Sequence, residues 1–284
     1  MYVLNNSAKA LSWLPVSAEL APWVFAMVLR DEKLPAEVVR LLPELRSSLQ
    51  YMVADRYYVR PLAAPCEWRA LPRCTLWAPS YQSAFGYAKH HIKAFAIGLT
   101  AAGWQALHPG DVSNCVNQIL DFSSLQAQLA RAWQPEFDES LAAWHARIAP
   151  SLCAWFAKAQ APIAIDQSPS LLAAGLRISE VAKTLEKSER HFRRLFEARF
   201  GVSAKIYQRI HRVDRMLRQL HEQPWEIDDC TQALSFADQA HSIREFKAVV
   251  GITPTDYVRG KRLGNRTLRS IPVNGIAPPD CGLI

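Results

Sequence analysis

The stretch from Ser188 to Arg209, SERHFRRLFEARFGVSAKIYQR, returns fifty residues later as DQAHSIREFKAVVGITPTDYVR, from Asp238 to Arg259. His191 falls on His241, Arg194 on Arg244, Phe196 on Phe246 and Ala198 on Ala248. Gly201 falls on Gly251, Tyr207 on Tyr257 and Arg209 on Arg259. These are seven identities in 22 positions, with Val202/Ile252 and Ser203/Thr253 conservative besides. A unit used twice constrains the fold more than any feature of composition, because each copy must make the same local structure.

Periodicity shows what the unit is. Ser188 and Asp238 are helix-capping types at the head of each copy. Behind Ser188, the residues Phe192, Leu195, Phe196 and Phe200 share one side of a helix, and Arg190, Arg193, Arg194 and Glu197 share the other. Gly201 suits the left-handed residue that ends such a helix. Upstream, Ile178, Val181, Ala182 and Leu185 predict a second short amphipathic helix, with Glu186-Lys187 as the turn. Two helices across a tight turn, the second rich in outward arginine, describe a helix-turn-helix. The second copy repeats it: a helix over 227–234, a turn through Ser235-Phe236-Ala237, then a helix from Asp238 to Val250.

Between the copies, Ile206, Ile210, Val213, Leu217 and Leu220 line one face of a helix over 204–221. Lys205, Arg209, Arg212, Arg215 and Arg218 take its flanks. Such a rod is roughly 27 Å long, and successive major-groove segments on one face of B-DNA lie about 34 Å apart. The rod therefore suits two reading helices set near one turn of duplex apart.

These residues resemble the DNA-binding domain of the AraC/XylS class of bacterial transcription regulators, two helix-turn-helix units joined by a long helix. The match runs through Ile178-Ser179-Glu180-Val181-Ala182, Ser188-Glu189-Arg190-His191-Phe192, Arg194 and Phe196. It closes with Asp238-Gln239-Ala240-His241, Arg244-Glu245-Phe246, Gly251-Ile252-Thr253-Pro254 and Tyr257, and covers about residues 170 to 262. The chain departs from the pattern at four places. Glu186 and Ser235 stand where the turns usually carry glycine, Ser242 where a large apolar residue is usual, and Ala204 where proline is usual. The resemblance implies sequence-specific binding of double-stranded DNA.

Charge is distributed accordingly. The 284 residues carry a formal +7. Residues 1–169 hold 14 Lys and Arg against 13 Asp and Glu, a net +1, and residues 170–284 hold 19 against 13, a net +6. Such an excess suits a module that meets a phosphate backbone. The six cysteines (Cys66, Cys74, Cys115, Cys153, Cys230 and Cys281) show no ligand-like spacing. Idle thiols in a reducing compartment are the default reading, with a sensor on Cys66 and Cys74 as the alternative. No apolar run has the length or flanks of a signal peptide or membrane span, so a cytoplasmic protein is expected.

Ahead of the repeat, short apolar runs over 24–29, 49–54, 57–60, 75–78 and 94–99, punctuated by proline, predict strands of a small barrel or sandwich. Thr100 heads a capped helical turn. The spacing of Pro15, Leu20, Pro22 and Val24, then Leu42 to Glu44 and Phe95 to Leu107, is similar to the cupin-like sensory domain often found before this DNA-binding module. Aromatic residues crowd the segment (Trp68, Trp77, Tyr81, Phe85, Tyr87, Phe95 and Trp104), as core or as cavity lining. His90 and His91 point to opposite faces of a strand, which suits structure better than metal. From Leu125 to Phe156, helical spacing broken at Pro135 and Pro150 predicts two or three helices that pack either on the barrel or on a second copy. A linker follows over 161–169.

The expected fold is therefore α+β: a mainly-β barrel-like domain over 1–120, a helical connector and dimerisation candidate over 121–165, an all-α double helix-turn-helix domain over 166–262, and a flexible tail over 263–284. Arg190, Arg193 and Arg194 are the base-reading candidates of the first unit, since a guanidinium fork matches guanine O6 and N7. In the second, Gln239 suits adenine, Ile243 a thymine methyl, and Arg244 guanine or phosphate. Ser203, Lys205 and Thr253 are phosphate candidates, and His191 and His241 read as structural. No cofactor, metal site or catalytic constellation is expected. The candidate partners are double-stranded DNA, a small-molecule effector and RNA polymerase, with the chain as monomer or homodimer. The reading is a sequence-specific transcription regulator, with an activator role. The alternatives are a DNA-targeted enzyme and a non-specific architectural DNA-binding protein.

Overall fold

The computed structural model describes residues 11–33, 37–62, 67–222, 239–262 and 270–272. The N-terminal part is built from two antiparallel sheets. The first has strands β1 (Leu11–Leu14), β2 (Val24–Lys33), β4 (Ser47–Met52), β7 (Cys74–Trp77), β9 (His91–Leu99) and β10 (Ile119–Asp121), in the order β1-β2-β9-β4-β7-β10. The second has β3 (Val39–Leu41), β5 (Tyr58–Pro61), β6 (Arg69–Ala70), β8 (Ala84–Tyr87) and β11 (Ser270–Pro272), in the order β11-β3-β8-β5-β6. Every predicted run overlaps one of β2, β4, β5, β7 and β9. Met52, Ile92 and Ala94 of the first sheet meet Val59, Leu41 and Ala84 of the second in one apolar cluster, which closes the barrel.

Helices cover the outer face of the first sheet. Helix α1 (Ala101–Leu107) is capped by Thr100, whose hydroxyl accepts from the Gly103 N–H at 3.1 Å. After a 3-10 turn (Val112–Cys115) come α2 (Phe122–Leu125), α3 (Ala127–Ala132) and α4 (Leu141–Phe156). Trp144, Ile148, Leu152 and Phe156 of α4 are buried with Phe95, Ile97 and Leu76 of the sheet. The connector's apolar face thus packs within the chain. Pro150, expected to break the helical run, instead lies inside α4. The proline sits on the exposed side, and burial of the opposite face outweighs its cost of about 3 kcal/mol.

The remaining helices form two smaller cores. One holds α5 (Ser168–Ala173), α6 (Ile178–Thr184) and α7 (Glu189–Phe200), with Val181, Phe192 and Phe196 fully buried. Ile165, from a 3-10 turn (Ala164–Gln167) inside the stretch expected as a linker, belongs to it. The other holds α8 (Ala204–Glu222), α9 (Gln239–Val250) and α10 (Pro254–Arg262) around Val213, Leu217, Phe246 and Tyr257. Helix α8 serves both: Ala204 and Tyr207 enter the first core, and Ile206, Ile210 and Val213 the second. The first helix and turn predicted for the second unit, with Ser235 and Asp238, lie outside the described residues. Where a flexible tail was expected, β11 pairs with β3, Ile271 opposite Arg40.

Candidate nucleic-acid interface

The first unit follows the predicted outline. Helix α6 ends at Thr184, and Glu186 takes a left-handed φ of 54° in the turn. This is the place where the resembled family carries glycine, and the backbone shows why. The Ser188 hydroxyl then accepts from the His191 N–H at 3.3 Å and starts α7. Arg190, Arg193 and Arg194 all stand exposed on its first two turns, where a reading helix meets base edges. Their situations differ. Arg193 is held by Glu189 one turn back. Arg194 Nη2 rests 3.4 Å from His191 Nδ1, so that histidine helps aim the arginine. Gly201 closes the helix at φ 75°.

In the second unit α9 begins at Gln239, whose side chain lies outside the described residues. Ile243 is half-buried and Arg244 exposed. Ser242, the departure from the family pattern, is fully buried, so a hydroxyl does occupy a core position of this reading helix. Glu245 holds α9 to α8: it accepts from Arg212 Nη2 at 3.1 Å on both oxygens, with Arg209 Nε at 3.9 Å and His241 Nε2 at 3.5 Å. Arg209 and Arg212, placed on the flanks of the connecting helix, are thus engaged inside the domain. Arg218 likewise pairs with Asp214 at 3.0 Å.

The three phosphate candidates cluster at helix starts. Ser203 caps α8, accepting from the Ile206 N–H at 3.3 Å, and Lys205 is exposed in the same turn. Thr253 caps α10 by accepting from the Asp256 N–H at 3.2 Å, and its own proton goes to Asp256 Oδ2 at 2.6 Å. That hydrogen bond is the leading cause that holds the Asp256 carboxyl below its usual range. Thr253 can reach a phosphate only by giving up that partner.

Sequence reasoning missed the contacts that the barrel makes with both units. The 3-10 turn Val112–Cys115 packs against α7. A carbon added at Gly201 would sit 2.5 Å from Val116 Cγ2 and 3.0 Å from Val112 Cγ1. At the other unit, Leu42 is buried in the second core, and the Ser83 hydroxyl donates to the Val249 carbonyl at 3.0 Å. Gly251, at φ 87°, lies against the Arg40 guanidinium, where an added carbon would come within 2.7 Å of Cζ. Beside this junction a cleft of about 70 Å³ opens between Pro43–Arg46 and α8, lined by Glu44, Arg46, Tyr207, His211, Asp214 and Arg218. Nothing in the sequence pattern separates these residues from ordinary strand and loop positions.

A family model described as a helix-turn-helix domain matches residues 181–260. Residues 181–260 thus form a helix-turn-helix domain. Such domains belong to DNA-binding transcription regulators. The model covers the C-terminal helices and leaves the barrel unmatched. ToxT from Vibrio cholerae aligns over 82% of this chain and 98% of its own, at 11% identity and a TM-score of 0.48. Its unsaturated fatty acid-bound form aligns over 82% and 94%, at 12% identity and 0.47. An AraC-type regulator structure from Chromobacterium violaceum aligns over 36% and 94%, at 20% identity and 0.34. No curated protein matches the chain.

The aromatic residues considered as cavity lining do not converge. Phe95 and Trp104 are buried among the helices over the first sheet. Phe85, Tyr87 and Trp68 form a separate cluster on the second, and Tyr81 is exposed. Among the described residues no three His, Cys, Asp or Glu side chains converge on a metal position, and no helix is long and apolar enough to cross a membrane.

Proposed function

We propose that the protein is a sequence-specific transcription regulator whose two helix-turn-helix units read adjacent major-groove segments, modulated by a small molecule acting at its N-terminal domain. The observation that carries this reading is the duplicated unit itself. Exposed Arg190, Arg194 and Arg244 stand on reading helices joined by α8, which at 19 residues is about 28 Å long. Arg190, Arg193 and Arg194 read bases in the first unit, and Gln239, Ile243 and Arg244 in the second. Ser203, Lys205 and Thr253 hold the flanking phosphates and so fix register. The contacts of Leu42, Ser83 and Arg40 with the second unit support a regulatory route, since any change in the barrel bears directly on α9. The protein acts in the cytoplasm, where RNA polymerase is its further partner.

A catalytic alternative has little to draw on in the described cysteines. Burial pushes the Cys74 thiol up to about 12 and raises those of Cys115 and Cys153, the reverse of what an attacking thiolate needs.

The test is a selection of genomic fragments by the purified protein at near-physiological salt, followed by footprinting. Enrichment of a site with two protected major-groove segments about one turn apart is the expected result. Binding without enrichment would establish an architectural DNA-binding protein instead.

A further inference from the structure

Both copies of the repeat end their reading helix on a glycine, and both glycines rest on the barrel. Gly201 lies on Val112 and Val116, and Gly251 on Arg40. A side-chain carbon at Gly201 would press on Val112 and Val116, one at Gly251 would displace the Arg40 guanidinium, and both backbones are left-handed, at φ 75° and 87°. The second contact is reinforced by Ser83, which grips the last turn of α9 through the Val249 carbonyl, and by Leu42 in the second core. Arg40 itself sits on β3 with Ile271 of β11 paired beside it.

We propose that the barrel is a bracket which fixes the angle and spacing between the two reading helices, with Val112 and Val116 positioning the first and Arg40 and Ser83 the second. A reading helix inserts its N-terminal residues into the groove. The bracket holds the opposite end of each, and Arg190, Arg194 and Arg244 remain exposed. Barrel and DNA therefore use different ends of the same two helices and engage them together. Helix α8 meets the first unit across the short loop Gly201-Val202-Ser203 and holds α9 through Arg212–Glu245 and a shared core, contacts on one side of each unit that leave it freedom to tilt. A second anchor on a common rigid body removes that freedom before DNA arrives, and preorganisation of this kind makes affinity depend sharply on geometry. One added base pair moves the second groove segment by about 3.4 Å and turns it by about 35°, which a bracketed pair cannot follow.

The inference rests on the proposed DNA-reading function and is tested on the selected site with spacers changed by one and two base pairs. The wild-type chain should lose roughly 100-fold in affinity on the altered spacers, as when the contacts of one unit are forfeited. Val116→Asp loosens the first anchor. Arg40→Ala and Ser83→Ala, which leave the apolar cores intact, loosen the second. Each should reduce the spacer penalty to roughly tenfold or less, while preference for bases within each half-site stays the same. An unchanged spacer penalty in both Val116→Asp and Arg40→Ala overturns the bracket, because α8 then sets the spacing unaided. Tighter binding by the variants at every spacer overturns it too, since the barrel would then oppose DNA. Wild-type site preference with no spacer penalty refutes the bracket alone, whereas no site preference at all refutes the DNA-reading function beneath it.

Discussion

Arg199, in the last turn of α7, and Asp166, ahead of α5, meet in a two-pronged ion pair, Nε to Oδ1 at 2.6 Å and Nη2 to Oδ2 at 2.7 Å. The two side chains are 13% and 15% exposed. Asp166 also accepts from the Ile163 N–H at 2.9 Å, so one carboxylate ties the segment entering the domain to the rear of the first reading helix. Asp166→Asn keeps the shape and removes the charge. It should lower stability by about 1.5–3 kcal/mol, the range for charge-assisted hydrogen bonds, read as a shift in the urea unfolding midpoint.

Glu186 should be improved by glycine. Its φ of 54° costs a residue with a Cβ about 1–2 kcal/mol, and glycine returns part of that as freedom in the unfolded chain. Glu186→Gly is expected to stabilise by about 0.5–1 kcal/mol in thermal unfolding, with no change in DNA preference.

Glu245 is an acid on a helix proposed to face DNA, and its partners Arg212, Arg209 and His241 explain its place. Glu245→Gln should destabilise by about 1–2 kcal/mol through the weakened bonds to Arg212. It should also tighten binding to unrelated DNA at low salt by freeing positive charge, and a fluorescence titration against salt reads this directly.

His211 stacks near Tyr207, ring centroids 6.4 Å apart, at the cleft beside the barrel. Burial holds its pKa below the ordinary imidazole value. Asp214 pulls it up, and Arg215, Arg218 and Arg46 push it further down. The unfolded chain therefore takes up this proton first. Its contribution is complete above about pH 6.5 and is lost as pH falls below that value toward the folded pKa. His211→Gln should flatten the fall in melting temperature between about pH 7.5 and pH 5.5; equal slopes in the two proteins would exclude this histidine as the cause.

Arg194→Ala should weaken binding chiefly to the selected site, costing about 1–3 kcal/mol if the arginine reads a base. Lys205→Ala should weaken all sequences alike and lower the salt slope by about one. Competition against random DNA separates the two, and an unchanged sequence preference in Arg194→Ala would remove its base-reading role.

The helical units were legible because their signals are local. Caps at Ser188 and Thr100, the apolar stripe Phe192 to Phe200 and the terminal Gly201 each act within one or two turns of chain. The long strands were legible as apolar runs, whereas β3 carries Arg40, β6 is two exposed residues and β8 contains Gly86, so none offers a pattern of its own. Leu42 and Ser83 could not be told from barrel residues, because what they touch lies more than 160 residues away along the chain. Glu245 was visible as part of the repeat's neighbourhood, but its work on Arg212 depends on how α8 and α9 are laid side by side.

The pairing of β11 with β3 also orders events during synthesis. Strand β3 is made early and meets β8 soon afterwards, yet its other edge is completed only by Ser270–Pro272, which follow every reading helix. A ribosome must finish both DNA-binding units before that edge is covered. A chain stopped anywhere between α8 and β11 therefore leaves with an unpaired strand edge, the kind of surface on which other chains add. Completion of the barrel thus reports that the DNA-binding half has been made.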